Sequence, residues 1–137
     1  MHYGAEKIGT MVIPIAAGNS KRQIWFLKNF QTTVIHIIPS YALLLSNLIK
    51  SEGLDASRDL NLKILLIGAE PHSEETRQRI EELYHAKAFN SYGLSEMNGP
   101  GVAFECAYQS GLHLWEDAYI LEIVNPKDCW SVDAISF

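Results

Sequence analysis

Cysteine is scarce in this sequence, with two residues, Cys106 and Cys129, among 137. Two thiols do not make a disulfide framework, so a packed core has to hold the fold. Long hydrophobic runs are missing as well. The longest apolar stretches, such as VIHIIP over 34–39, fall far short of the roughly 20 residues that a membrane-spanning helix needs. The opening residues, MHYGAEKIG, lack the basic-then-apolar pattern of a secretory signal. Positive charge is thin and scattered: 11 Lys and Arg against 16 Asp and Glu leave a net charge of −5. A nucleic-acid partner calls for a basic face. These absences lead us to expect a cytoplasmic, reduced protein with no nucleic-acid and no membrane partner. A scatter of cations says little about small anions, which a few local donors can hold.

What remains is an ordinary globular composition, 47% hydrophobic and 20% charged, long enough for one domain with a real core. No internal repeat and no low-complexity tract interrupts it. TMVIPIAAG (10–18) reads as a buried strand closed by glycine. Ser20 and Gln23 have capping-box spacing ahead of a helical pattern at Ile24, Leu27 and Phe30. TTVIHII (32–38) reads as a second strand. Ser40 is a candidate N-cap for a helix whose stripe is Tyr41, Leu44, Leu45, Leu48 and Ile49. SEGLDASRDL (51–60) is polar punctuation. A third strand spans Leu62 to Ile67 and ends at Gly68. Ser73 caps a helix running to about Tyr84, with Glu74 and Glu75 favourably placed in its first turn. AKAFNSYG (86–93) gives a short fourth strand, and the glycine-rich NSYGLSEMNGPG (90–101) is expected to be a loop. VAFECAY, GLHLWE and YILEIVNP then alternate, as antiparallel strands do.

Strand–helix repeats with continuous apolar strands predict an α/β fold. The expectation is a mostly parallel sheet with flanking helices, followed by a small antiparallel unit. In such sheets ligands bind beyond the carboxyl ends of the strands. AAGNS, IGAEP and NSYGLSE all fall on that rim. Taken singly, each is ordinary turn chemistry. Taken together they offer Gly68 for close backbone approach, Pro71 to stiffen an exit, Tyr92 as a stacking face, Ser95 as a hydroxyl and Glu96 as a hard oxygen for Mg²⁺. Cys106 and His113 flank an expected hairpin. They are either two ligands of a Zn²⁺ half-site or a packed thiol and a strand histidine. His2, His36, His72 and His85 share no spacing and read as structural or surface residues.

HYGAEKIG, VIPIAAGNS, TTVIHIIPSYALLL, IGAEPHSEETR and YGLSEMNGPGVAFEC followed by GLHLWED together resemble the middle of phenylacetate–coenzyme A ligases. These are AMP-forming members of the adenylate-forming acyl-CoA synthetase superfamily. The similarity covers about 1–126, with 1–98 as the parallel part, 99–126 as the antiparallel part and 127–137 as a divergent tail. The resemblance implies two half-reactions: an aryl-acetate carboxylate attacks the α-phosphate of ATP to give acyl-AMP, then the thiol of coenzyme A displaces AMP. It implies that Tyr92 and Gly93 face adenine and that Gly68, Ala69, Glu70 and Pro71 line its pocket. Ser95 would contact the α-phosphate and Glu96 would hold Mg²⁺. Ala17, Gly18, Ile38 and Tyr41 would wall the acid pocket.

The family's Ser/Thr/Gly-rich phosphate loop, its ribose-binding Asp motif and its C-terminal domain are not found here. The chain is therefore expected to be a fragment of the large domain, inactive as a ligase by itself and prone to self-association through exposed edges. Two alternatives stand beside this reading: a nucleotide-binding or assembly module without catalysis, and a related ligase acting on another acid.

Overall fold

The computed structural model describes residues 2–15, 18–97 and 99–127. Three parallel strands form the centre: β1 (Val34–Ile37), β2 (Ile64–Gly68) and β3 (Lys87–Leu94). Two antiparallel strands, β4 (Gly99–Glu105) and β5 (Leu112–Leu114), extend the same sheet. Strand order follows chain order, β1-β2-β3-β4-β5. The expected α/β architecture with an appended antiparallel unit is thus found. Helix α1 (His2–Lys7) buries no residue. Helices α2 (Ser20–Asn29), α3 (Pro39–Ser51) and α5 (Glu74–Tyr84) carry the apolar stripes, and a short helix α4 (Ala56–Asp59) lies between them in sequence.

Side-chain alternation decides which face is sealed. Register places Ile35, Leu65 and Ala88 side by side, with Ile37 beside Ile67. These residues form one cluster with Ile24 and Leu27 of α2, Ala42, Leu45 and Ile49 of α3, and Ile80 and Tyr84 of α5. The helices' apolar residues therefore collect on one face. Their alternates on the strands, Val34, Ile64, Leu66 and Phe89, point to the other face and remain partly or well exposed. Tyr84 shows how the core handles a polar atom: its hydroxyl donates to the Ala42 carbonyl at 2.7 Å. Burial pushes that phenol well above the ordinary tyrosine range.

Several local expectations need correction. Residues 10–15 form no strand. Thr10 is spent on the end of α1, where its amide and hydroxyl both donate to the Ala5 carbonyl; Pro14 has no donor for a ladder, and Met11 is exposed. The N-cap of α2 is Asn19, whose Oδ1 accepts the Arg22 amide at 2.9 Å, while the Ser20 hydroxyl turns to Tyr41 instead. The N-cap of α3 lies two residues earlier than expected: it is Ile38, and Pro39 occupies the first turn, where a missing N–H costs nothing. Leu44 leaves the buried stripe, and Ala42 takes a place in it. The polar punctuation contains α4, capped by Asp55. Ser73 does cap α5, accepting the Thr76 amide, and α5 ends at Tyr84.

The glycine-rich stretch is also more regular than its composition predicts. Strand β3 continues through Tyr92 to Leu94, a single 3-10 turn covers Ser95–Met97, and β4 begins at Gly99. The glycines permit this hairpin: Gly99 and Gly101 both have positive φ, at +92° and +121°. By contrast, the alternating residues after Tyr119 form no third antiparallel strand among the described residues. Ile120 and Leu121, on opposite sides of that stretch, are both largely exposed.

Candidate nucleotide-facing site

The carboxyl ends of β1, β2 and β3 lie at one rim, and the register sets their relative heights. Ile37 is level with Ile67 and Asn90, and Gly68 is level with Ser91. Strand β2 stops there, so Tyr92, Gly93 and Leu94 run beyond it, paired only with β4. The Gly68–Pro71 loop and Tyr92 are thereby neighbours at the rim. Contact between the two strands is tight: a Cβ on Gly68 would lie 2.1 Å from the Ser91 carbonyl oxygen and 2.8 Å from its Oγ. Glycine is needed at 68 for this strand–strand approach.

A register shift falls between Tyr92 and Gly93, where partners on β4 jump from Ala103 to Pro100. Such bulges re-aim side chains, here at the end of β3. Tyr92 is 49% exposed. Ser95 and Glu96 follow on the 3-10 turn, both exposed, and neither side chain bonds another described residue. The turn itself is anchored, since the Tyr119 hydroxyl donates to the Met97 carbonyl at 2.9 Å. A flat ring, a hydroxyl and a carboxylate thus stand in order on a fixed hairpin with their polar atoms uncommitted.

The first-expected contribution of the Gly68–Pro71 loop is its backbone. The structure adds a side-chain role that the sequence did not signal. Both oxygens of the Glu70 carboxylate accept from Ser40 in the first turn of α3, one from the backbone amide and the other from the hydroxyl at 2.9 Å. Ala69 lies at φ +65°. On the α3 side, Ile38 is exposed at the N-cap position, and the half-buried Tyr41 hydroxyl donates to Gln23 Oε1 at 2.9 Å and lies 2.7 Å from Ser20 Oγ. Gly18 is exposed at φ +106°, while Ala17 falls outside the described residues. The structure therefore brings Gly68, Ala69, Glu70, Tyr92 and the Ile38–Tyr41 turn to one rim.

Cys106 and His113 behave differently. His113 lies on β5 opposite Phe104, and Cys106 follows the last residue of β4. Among the described residues no third His, Cys, Asp or Glu joins them to form a metal-binding group. Two donors do not fit a tetrahedral zinc site. Cys129 and Trp130 fall outside the described residues. No helix among the described residues is long and apolar enough to cross a membrane.

No family model matches the chain. Among solved structures it resembles 2-hydroxyisobutyryl-CoA ligase in complex with 2-HIB-AMP and CoA in the thioesterification state. There the TM-score is 0.84 at 27% identity, over 94% of this chain and 28% of that one. Anthranilate CoA ligase bound to anthranoyl-AMP shares the fold, with a TM-score of 0.63 at 16% identity, over 90% of this chain and 23% of that one. The fold is thus that of the adenylate-forming coenzyme A ligases, of which this chain presents part of a domain. Within that class its sequence is homologous to a segment of the phenylacetate-coenzyme A ligases. The enzyme of Pseudomonas putida is 42% identical over 126 residues, 91% of this chain and 28% of the relative. That of Escherichia coli K12 is 43% identical over 129 residues, 93% and 29% respectively. The chain therefore spans a little over a quarter of the length of the curated relatives it matches.

Proposed function

We propose that this segment forms the adenylate-facing wall of an AMP-forming acid–thiol ligase that activates an aryl-acetate and passes it to coenzyme A. Residues 1–126 are read as part of one ligase domain, working in the cytoplasm, and 127–137 as a tail that diverges from it. The carrying observation is the rim geometry: Tyr92 lies beyond Gly68 at the end of β3, and Ser95 and Glu96, their side chains bonded to no other described residue, follow on the next turn.

In this reading adenine stacks on the Tyr92 ring, with Gly93 allowing close approach and the backbone of Gly68, Ala69, Glu70 and Pro71 closing the pocket edge. The Ser95 hydroxyl donates to an α-phosphate oxygen. Glu96 has the free, exposed carboxylate that a magnesium ion beside phosphates requires, and the metal would supply charge compensation for the phosphate oxygens. Ala17, Gly18, Ile38 and Tyr41 face the acid. The carboxylate attacks phosphorus and pyrophosphate leaves; the coenzyme A thiol then attacks the acyl carbon and AMP leaves. The chain's own contribution is to orient the nucleotide and hold donors where negative charge develops.

AMP titration of the chain, by calorimetry or by chemical-shift perturbation, tests the wall directly. Tyr92→Ala and Glu96→Ala are the controls: Tyr92→Ala should remove AMP binding, and Glu96→Ala should remove its enhancement by Mg²⁺. Unchanged binding in both variants would reject the assignment. We expect the 137-residue chain to bind AMP weakly and to release no AMP from ATP, phenylacetate and coenzyme A in a coupled assay. Robust AMP release would overturn that part. For zinc, metal analysis of the purified chain is decisive, and the two-donor hairpin leads us to expect substoichiometric metal.

A second reading has its own observation. Val34 is 44% exposed, and it lies with Ile64, Leu66 and Phe89 on the sheet face away from the helix stripes. Such a face favours self-association or assembly with another chain. Light scattering that reports a monomer at high concentration would count against it. Another acid substrate is less favoured, because identity to the phenylacetate ligases, 38–43%, exceeds the 27% to 2-hydroxyisobutyryl-CoA ligase.

A further inference from the structure

Ala69 occupies a left-handed conformation, φ +65°, that an alanine adopts only where its neighbours enforce it. On one side it is tethered by Gly68, locked in register against Ser91. On the other side Glu70 leaves its own loop and seats both carboxylate oxygens on Ser40, bonding the amide and the hydroxyl. Helix α3 has no side-chain cap of its own at Ile38. Its first-turn amides and positive dipole end therefore favour a carboxylate from elsewhere in the chain. Glu70 supplies that carboxylate across 30 residues of sequence. The connection continues past Ser40, because the adjacent Tyr41 hydroxyl bonds Gln23 and Ser20 of α2. One run of polar contacts thus joins the loop after β2 to the turn after β1 and to the helix before it.

We propose that Glu70 is a positioning residue. Through Ser40 it holds Ala69 in its left-handed conformation and fixes the nucleotide-facing loop to the acid-facing turn Ile38–Tyr41, so that both half-pockets keep one geometry. Glu70's carboxylate acts through the loop and need not touch a substrate. The proposal rests on the reading of this rim as a nucleotide site.

The test uses the 137-residue chain with Glu70→Ala, Glu70→Gln and Ser40→Ala, read by amide hydrogen exchange and by AMP titration. In the free chain, Glu70→Ala should speed exchange at the Ser40 amide about tenfold or more, as loss of a charge-assisted bond implies, while Leu65, Ile67 and Ile80 exchange as before. Glu70→Gln keeps an acceptor for the Ser40 amide and should recover most of the protection. Ser40→Ala loses only the hydroxyl contact and should fall between; it carries the comparison if Glu70→Ala does not fold. Equal Ser40 exchange in Glu70 variants and the unaltered chain, or acceleration spread evenly to Ile80, would overturn the proposal. With AMP, Glu70→Ala should weaken binding about five- to tenfold, with Glu70→Gln within about twofold of the unaltered chain. Equal AMP affinity would overturn the positioning role while leaving the nucleotide wall intact. No AMP response in the unaltered chain would instead reject the nucleotide wall, and Ser40 exchange would then decide the Glu70 lock alone.

Discussion

Leu65, Ile67 and Ala88 are sealed beneath α3 and α5, and no buried side-chain polar atom among the described residues lacks a partner. A few residues further along β3, Tyr92 is half-exposed, and the Ser95 and Glu96 side chains bond no other described residue. The same sheet thus contains a body in which polar atoms are consumed by the fold and, past the end of β3, a turn in which some are left over. An uncommitted carboxylate costs little where water solvates it. It contributes little to folding, and under the proposed function its role is to hold a ligand. That contrast separates two kinds of substitution: those in the body should register as stability, and those at the rim as ligand binding.

The largest effect should come from Gly68, which belongs to both regions. Any β-carbon there meets Ser91 backbone at 2.1 Å, which must push β2 and β3 apart. Gly68→Ala is expected to cost about 3 kcal/mol or more, through overpacking against atoms that cannot move aside. Urea unfolding checks this, and a midpoint close to that of the unaltered chain would mean the strands are looser at the rim than they look. Next, Tyr84→Phe removes the buried donor to Ala42 and should cost about 1–2 kcal/mol by the same measurement.

A pH series gives a broader effect of similar kind. Glu81 is partly buried, which by itself would raise its pKa. Bonds from the Ala88 amide and the Gln109 amide group, with the Lys87 and Arg77 charges, outweigh this and hold it below the ordinary glutamate value. Glu74 is held down mainly by its bond to Arg77. Groups with lowered folded-state pKa values stabilise the fold fully above the unfolded value, and that contribution is lost as pH falls through the folded one. The urea midpoint should therefore be flat near neutrality and decline between about pH 5 and about pH 3. Glu81→Gln should make the decline shallower. A decline on the alkaline side instead would point away from this cluster.

The smallest stability change is expected where the ligand effect is greatest. Glu96→Ala and Tyr92→Ala should shift stability by no more than about 0.5 kcal/mol, as exposed sites without partners do. A loss above about 1 kcal/mol would show that these side chains belong to the body after all, and the contrast would collapse.

The body was largely legible from apolar periodicity. Ile64 to Gly68, the Ser73 cap and the stripe through Leu45 and Ile49 follow from rules that act within a few residues. Errors arose where a distant partner decided the outcome. Ser40 looks like a cap but is bound to Glu70, 30 residues away, and Ser20 is diverted to Tyr41. The run 119–126 alternates as a strand should, yet among the described residues only Val124 forms a bridge, and Ile120, Leu121 and Ile123 stay exposed. At the rim, the motif pattern singled out Gly68–Pro71, Tyr92, Ser95 and Glu96, and the structure sets the Gly68 loop beside the end of β3. The Glu70 bridge was not legible, because no local spacing reports a contact set by packing two βα turns side by side. A charged residue two positions after a strand-ending glycine, opposite a helix with no side-chain cap, is the signal that could have found it.

Sequential strand order carries a consequence for how the chain comes to be folded. Each strand pairs with the one just before it, β1 with β2, β2 with β3, and onward to β5. Among the described residues no strand has to wait for a partner made much later, so contact order within this segment is low for a sheet of this kind. The sheet can grow by accretion at one edge as residues leave the ribosome, each βα unit docking on a template already in place. The rim loops, including the Glu70 bridge, would then be set one after another in the order of synthesis, before the 3-10 turn with Ser95 and Glu96 is complete.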